Sequence, residues 1–166
     1  MLNPFGQNGN SVIGTPNKIF KKLDAEFHFT LDVCAVAENT KVENYLKGPC
    51  TGRKDCTCGL CTDWGTNMCW MNPPYSKGEI EQWIKKAMDS VEKGAGVVAL
   101  THLACSPKWA QEILKSTLLY ELRFVYPRIQ FDNAGTANAR DSMLLIMIPY
   151  VRTVDGRILT TTWTWK

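Results

Sequence analysis

Apolar positions along this chain fall into short blocks of two periods. Ile19, Phe20 and Leu23 share one face of a helical repeat, with Lys18, Lys21 and Lys22 mostly opposite. Thr15-Pro16 stands ahead of them as a hydroxyl cap and a first-turn proline, so a short amphipathic helix is predicted. Phe27, Phe29, Leu31 and Val33 then alternate with His28, Thr30 and Asp32, the period of a strand with Asp32 at its end. Met68-Cys69-Trp70-Met71 is a continuous apolar run and reads as a buried strand. Ile80, Trp83, Ile84, Ala87, Met88 and Val91 return to helical spacing between Gly78 and Gly94, which predicts a core-facing helix. A buried strand over 97–100, a helix over 107–116 presenting Trp109 and Ile113, and strands over 118–125 and 143–148 follow. Asp155-Gly156 marks a hairpin turn, after which Thr161, Trp163 and Trp165 alternate in an added edge pair whose tryptophans cover a core face. Strands alternating with helices imply a largely parallel sheet with right-handed crossovers, closed by antiparallel strands at the carboxyl-terminal end.

Length and composition narrow the class. At 166 residues the chain has the size of one domain with a real core. Residues 1–14 carry three glycines and three asparagines and read as a mobile arm, leaving 15–166 as the folded unit. No apolar stretch approaches the roughly 18 residues of a membrane span. The first residues have neither the basic start nor the apolar segment of a secretory signal, which points to an intracellular protein. Seven cysteines, an odd number, fit reduced thiols or a metal site better than a complete disulfide framework. A net charge of +3 permits a nucleic-acid partner without demanding one.

The chemistry concentrates at Asn72-Pro73-Pro74-Tyr75, where the strand 68–71 stops at an asparagine, two prolines and a ring. Proline cannot continue a ladder and drives the residue before it into extended geometry, so these residues form a stiff arch at a strand's carboxyl end. That is where open α/β sheets bind ligands. Asn72 offers a side-chain carbonyl, Pro73 a main-chain carbonyl and Tyr75 a flat face, a set suited to a planar amine. Two acceptors aimed at the amine hydrogens favour a pyramidal, nucleophilic nitrogen, while the stacked ring holds it in place. The structural alternative is a Pro-Pro turn capped by a packed tyrosine.

Two further clusters stand out. Cys50, Cys56, Cys58 and Cys61 lie in a Gly-, Thr- and Lys-rich insertion over 47–62, and their spacing could wrap one tetrahedral zinc. Solvent-facing thiols are the alternative, and both readings stay open. His102 and Cys105 follow a strand end, with no carboxylate or second histidine placed to orient the imidazole, and a structural role is expected for both.

Asn72-Pro73-Pro74-Tyr75 resembles the catalytic motif of S-adenosylmethionine-dependent amino methyltransferases. Together with Thr15-Pro16, Phe27-x-Phe29-x-Leu31-Asp32-x-Cys34-Ala35, Asn39-x-Lys41, Asp63-Trp64 and Ser76, all in one order, it resembles the phage Dam-type DNA N-6-adenine methyltransferases across nearly all of residues 13–148. That resemblance implies a compact Rossmann-like methyltransferase fold, with room for a shortened sheet where larger relatives have strands in place of 47–62. It implies S-adenosylmethionine bound by Thr15, Pro16, Asp32, Cys34, Ala35, Asp63 and Trp64, Asp32 opening the loop around the methionine part and Asp63-Trp64 meeting the adenine. It implies DNA as partner, with a flipped adenine against Tyr75, Phe131 stacking on the base, and Arg128 and Arg140 meeting phosphate. Such an enzyme would work in the cytoplasm of a bacterial host, from a phage or prophage gene. One departure is plain: after Ala35 the larger family continues to Gly-x-Gly, whereas here Val36-Ala37-Glu38-Asn39 follows. Alternatives are a methyltransferase acting on RNA or protein glutamine, since the motif serves any planar amide or amine, and an inactive nucleic-acid-binding protein with this fold. Recognition sequence and oligomeric state are not written in the motifs.

Overall fold

A computed structural model describes residues 14–47, 50, 55–75, 78–132, 140–154 and 157–166. The expected arm lies outside these residues except for Gly14, as do Ser76 and Asp155-Gly156. Along the chain run α1 (Asn17–Phe27), β1 (Leu31–Ala35), β2 (Tyr45–Lys47), β3 (Met68–Met71), α2 (Glu79–Glu92), β4 (Gly96–His102), α3 (Lys108–Lys115), β5 (Glu121–Tyr126), β6 (Ser142–Met147) and β7 (Leu159–Thr164). The strands form one seven-stranded sheet in the order β2-β1-β3-β4-β6-β5-β7. Strand β6 runs antiparallel to both neighbours, and every other pairing is parallel.

The central strands are covered on both faces, which is why their sequences read as apolar runs. Cys69, Met71, Val97, Ala99, Met143 and Leu145 join one core cluster with Trp83, Ile84 and Trp109 from α2 and α3. Their alternates Trp70, Val98, Leu100, Leu144 and Ile146 join a second cluster with Ile19, Phe20 and Leu23 from α1. One residue of register therefore decides which helical layer a side chain meets. Helix α2 closes where Gly94 takes φ 112 and the Ala95 amide returns to the Ser90 carbonyl at 3.0 Å, a left-handed stop that glycine permits.

Several expectations are corrected. Helix α1 extends through Phe27, with His28 in the left-handed cap, so the alternation over 27–33 is not one strand. All five residues of β1 are buried because it lies between β2 and β3, and Asp32 sits inside the strand rather than at its end. Thr15 does not cap α1; Pro16 holds the cap position, and its carbonyl receives the Ile19 and Phe20 amides. The last strand forms no hairpin with β6: β7 passes beyond β5 and pairs with it in parallel. Its tryptophans still cover a core face, Trp163 and Trp165 packing on the α1-side cluster, with Trp165 Nε1 donating to the Pro127 carbonyl at 2.7 Å. Strand β2 carries no pattern of its own and was not expected from the sequence.

A partly buried charged network ties α1 to the far half of the sheet. Arg123 on β5 bonds Glu121 on the same strand and Glu26 of α1, and Thr161 Oγ1 on β7 donates to Glu121 at 2.8 Å. Because α1 follows Thr15-Pro16 directly, this network fixes one wall of the site described next.

Candidate active site

Strands β1, β3 and β4 run in parallel, so their carboxyl ends open at one edge. The Asn72 arch leaves β3 there, its two prolines buried. Asn72 stands at a junction. Its Nδ2 donates to Thr15 Oγ1 at 3.1 Å, and its Oδ1 accepts from the Tyr75 hydroxyl at 2.7 Å. The same hydroxyl lies 3.1 Å from the Leu100 carbonyl on β4. Burial pushes the Tyr75 phenol well above its ordinary range, so it remains a neutral donor.

Beside Asn72 lies a small, open cleft lined by Thr15, Asp32, Cys34, Trp70 and Asn72 together with Gly14, Asn39 and Lys41. Asp32 is only 3% exposed. Its Oδ2 accepts the Lys41 amide at 3.0 Å and its Oδ1 the Cys34 amide at 3.3 Å, leaving lone pairs on both oxygens. Loss of water raises its pKa from 3.8 to about 6, against the lowering effect of those two amides and of the Lys41 charge. Lys41 Nζ reaches Asn17 Oδ1 at 2.8 Å and Asp132 at 3.8 Å, and its pKa is lowered, chiefly by its own burial. The cleft thus offers one carboxylate and one ammonium within a short stretch of chain.

The glycine-poor turn after β1 is held by its own side chain: Asn39 Oδ1 accepts the Val36 amide at 2.8 Å, and the Val36 carbonyl receives the amides of Asn39 and Thr40. An asparagine does here what backbone freedom does in a glycine-rich loop.

Of the expected site residues, Thr15, Asp32, Cys34 and Asn72 meet in this cleft. Pro16 caps the adjoining helix and Ala35 ends β1 in the core. Asp63 and Trp64 are not brought to its lining. Asp63 is exposed and its Oδ1 takes the Gly65 amide at 3.0 Å as a turn residue, which holds its carboxyl below the usual range. Trp64 is fully buried, its Nε1 donating to the Gly59 carbonyl at 2.8 Å. Phe131 is not brought to the cleft lining either. It is 4% exposed and packs in the α1-side cluster, so no face of the ring is open to a base. Arg128 is exposed and bonds Asp141 Oδ1 at 2.7 Å; Arg140 is exposed at the start of the same strand approach.

His102 lies edge-on between Tyr75, with centroids 5.4 Å apart, and Trp109, at 5.6 Å. Burial, and then the charge of Arg140, lowers its pKa, which favours the neutral imidazole.

Asn39, Lys41, Gly14 and Trp70 are cleft residues that composition and periodicity do not reveal. The signal for the first two was the Asn39-x-Lys41 pair, visible only in the resemblance. The insertion over 47–62 brings the Cys50, Cys56, Cys58 and Cys61 sulfurs within 4.8 Å of one another.

Comparison with known proteins identifies the family of the chain. The sequence signature of the family described as DNA N-6-adenine-methyltransferase (Dam) matches residues 8–162. A protein of Haemophilus phage HP1 (strain HP1c1), named DNA N-6-adenine-methyltransferase, is 31% identical over 143 residues, covering 81% of this chain and 77% of the relative. The chain belongs to the DNA N-6-adenine-methyltransferase (Dam) family.

Proposed function

We propose that Asn72 and the Pro73 carbonyl accept the two hydrogens of an adenine N-6 amine in DNA while Tyr75 packs on the base, within a Rossmann-like methyltransferase fold. Family membership makes the chain a DNA adenine N-6 methyltransferase that uses S-adenosylmethionine and takes DNA as substrate. The observation that carries the residue assignment is the bonding of Asn72 to Thr15 on the cleft side and to Tyr75 on the arch side. One amide joins the two halves of the site.

The donor set fits the cofactor's amino-acid end. Asp32 keeps free lone pairs for an ammonium, and Lys41 offers a cation to a carboxylate. S-adenosylmethionine supplies the electrophilic methyl of its sulfonium when bound. Asn72 and Pro73 then polarise the amine, whose lone pair is otherwise delocalised into the purine, and hold its nitrogen facing the cleft. Neither carbonyl is basic enough to keep a proton, so the hydrogen lost by the nitrogen passes on to solvent.

A base inside a duplex cannot reach this arch, so the adenine is flipped out, with Arg128 and Arg140 taking phosphate contacts that hold the strand. The four cysteines hold a structural zinc that takes no part in the transfer.

Incubation with labelled S-adenosylmethionine and DNA, followed by mapping of the label, tests the function. Label on adenine N-6 is expected. Label confined to RNA or to protein glutamine under the same conditions would overturn the assignment of substrate.

A further inference from the structure

The four cysteines are not an appendage to the sheet. Cys58-Gly59-Leu60-Cys61 folds as a knuckle, with the amides of Cys61 and Thr62 both directed at the Cys58 carbonyl at 3.0 Å. The Cys50 sulfur lies 3.9 Å from that of Cys56 and 3.4 Å from that of Cys61. Tetrahedral zinc with Zn–S of about 2.3 Å requires sulfurs about 3.8 Å apart, so small movements complete the site. Cys58 is 3% exposed and anchors the knuckle inward.

What lies beneath the knuckle is strand β1. A Cβ on Gly59 would stand 1.9 Å from the Val33 carbonyl oxygen and 2.8 Å from the Trp83 ring. Only a glycine permits this seat. The Gly59 carbonyl is in turn fixed by the buried Trp64 indole at 2.8 Å. Val33 lies between Asp32 and Cys34, the two β1 residues that line the cleft. The knuckle therefore presses on the strand segment whose flanking side chains form the floor of the cofactor site.

Resting on the zinc reading above, we propose that metal occupancy of this knuckle and cofactor occupancy of the cleft are linked through the seat of Gly59 on β1. Zinc fixes the knuckle, the knuckle fixes Val33, and Asp32 and Cys34 are held in the geometry that binds the cofactor. Linkage is reciprocal, so the bound cofactor tightens zinc by the same factor.

The test uses the full chain, with S-adenosylhomocysteine as the unreactive probe and a chromophoric chelator competing for zinc. Elemental analysis is expected to find about one zinc per chain. Protein that carries no metal and takes up no added zinc overturns the zinc reading and this proposal with it. With zinc present, saturating S-adenosylhomocysteine is expected to raise zinc affinity at least tenfold. Equal zinc affinity with and without it overturns the linkage and leaves the zinc reading standing. If metal-free protein melts as a whole, unfolding alone would couple the sites, and Gly59→Ala then decides. That variant keeps all four thiols and is expected to hold zinc while losing at least tenfold in S-adenosylhomocysteine affinity. Wild-type affinity in zinc-loaded Gly59→Ala overturns the proposal.

Discussion

The Tyr75 hydroxyl donates to Asn72 Oδ1 at 2.7 Å, so the oxygen assigned to the incoming amine is held by the ring assigned to the base. The amine must displace this donor, and the phenol's second acceptor, the Leu100 carbonyl, gives the hydroxyl somewhere to go. Tyr75→Phe keeps the ring and frees Asn72. Its turnover is expected to stay within a few-fold of wild type while stability falls by about 1 kcal/mol, the worth of one ordinary hydrogen bond. Asn72→Ala removes the acceptor itself, and kcat should fall about a hundredfold, roughly 3 kcal/mol, with cofactor affinity changing far less. Steady-state kinetics with calorimetry checks both; near-normal turnover of Asn72→Ala would remove the asparagine from the chemistry.

Asp32 gives the site a pH signature. Burial raises its pKa from 3.8 to about 6, so between those values the folded protein holds a proton that the unfolded chain has released. By linkage, its contribution to stability falls as pH rises through that window and is constant above it. If Asp32 holds the ammonium of S-adenosylmethionine as proposed, cofactor affinity moves the opposite way. Affinity is expected to drop up to about tenfold per unit as pH falls below about 6. Asp32→Asn should bind at least about tenfold more weakly near pH 8, since a charged hydrogen bond is lost, and show no inflection near 6. An unchanged affinity in that variant would place the amino-acid end of the cofactor elsewhere.

The arch and the central strands were legible in the sequence because their physics is local. Prolines end a strand wherever they fall, and the run Met68-Cys69-Trp70-Met71 needs burial on both faces. Strand β1 misled because Phe27 and Phe29 alternate like a strand while tertiary contacts make Phe27 the last residue of a helix. The Thr15 hydroxyl also misled, for a cap and a bond to Asn72 use the same atom, and only the fold decides between them. Lys41 and Asn39 act through a turn closed on Asp32, a relation between a strand and a loop that no periodicity encodes.

Arg123 does not line the cleft, yet it should govern stability. Glu121 and Arg123 are both largely buried, with side chains 8% and 11% exposed, whereas Glu26 is 44% exposed. Arg123→Ala leaves Glu121 buried without its cation and should cost about 3 kcal/mol or more. Glu26→Ala should cost about 1 kcal/mol or less, since that partner remains in water. Urea unfolding of the two variants checks the order, and a reversed order would mean that α1, not β5, depends on the network.

Phe131 supplies the sharpest contrast between a reading from sequence and one from structure. It follows β5 in a polar stretch, where an aromatic ring without periodic neighbours suggests a base-stacking platform. The structure instead buries it to 4% exposure beside Ile19, Phe20 and Ile129, while the next residue, Asp132, donates its amide to Gly14 at 3.0 Å. Truncating a buried phenylalanine removes its transfer energy and leaves a cavity, so Phe131→Ala should lose about 3–5 kcal/mol. Cleft and arch are otherwise intact, and surviving folded enzyme should methylate fully paired DNA and the same site in a mismatch with the wild-type ratio of rates. Extrusion is easier from a mismatch, so a ring that replaced lost stacking would matter more on paired DNA. Thermal unfolding and a comparison of the two substrates distinguish the cases. A variant that melts like wild type but fails selectively on paired DNA would mean that the ring leaves the core to meet the base.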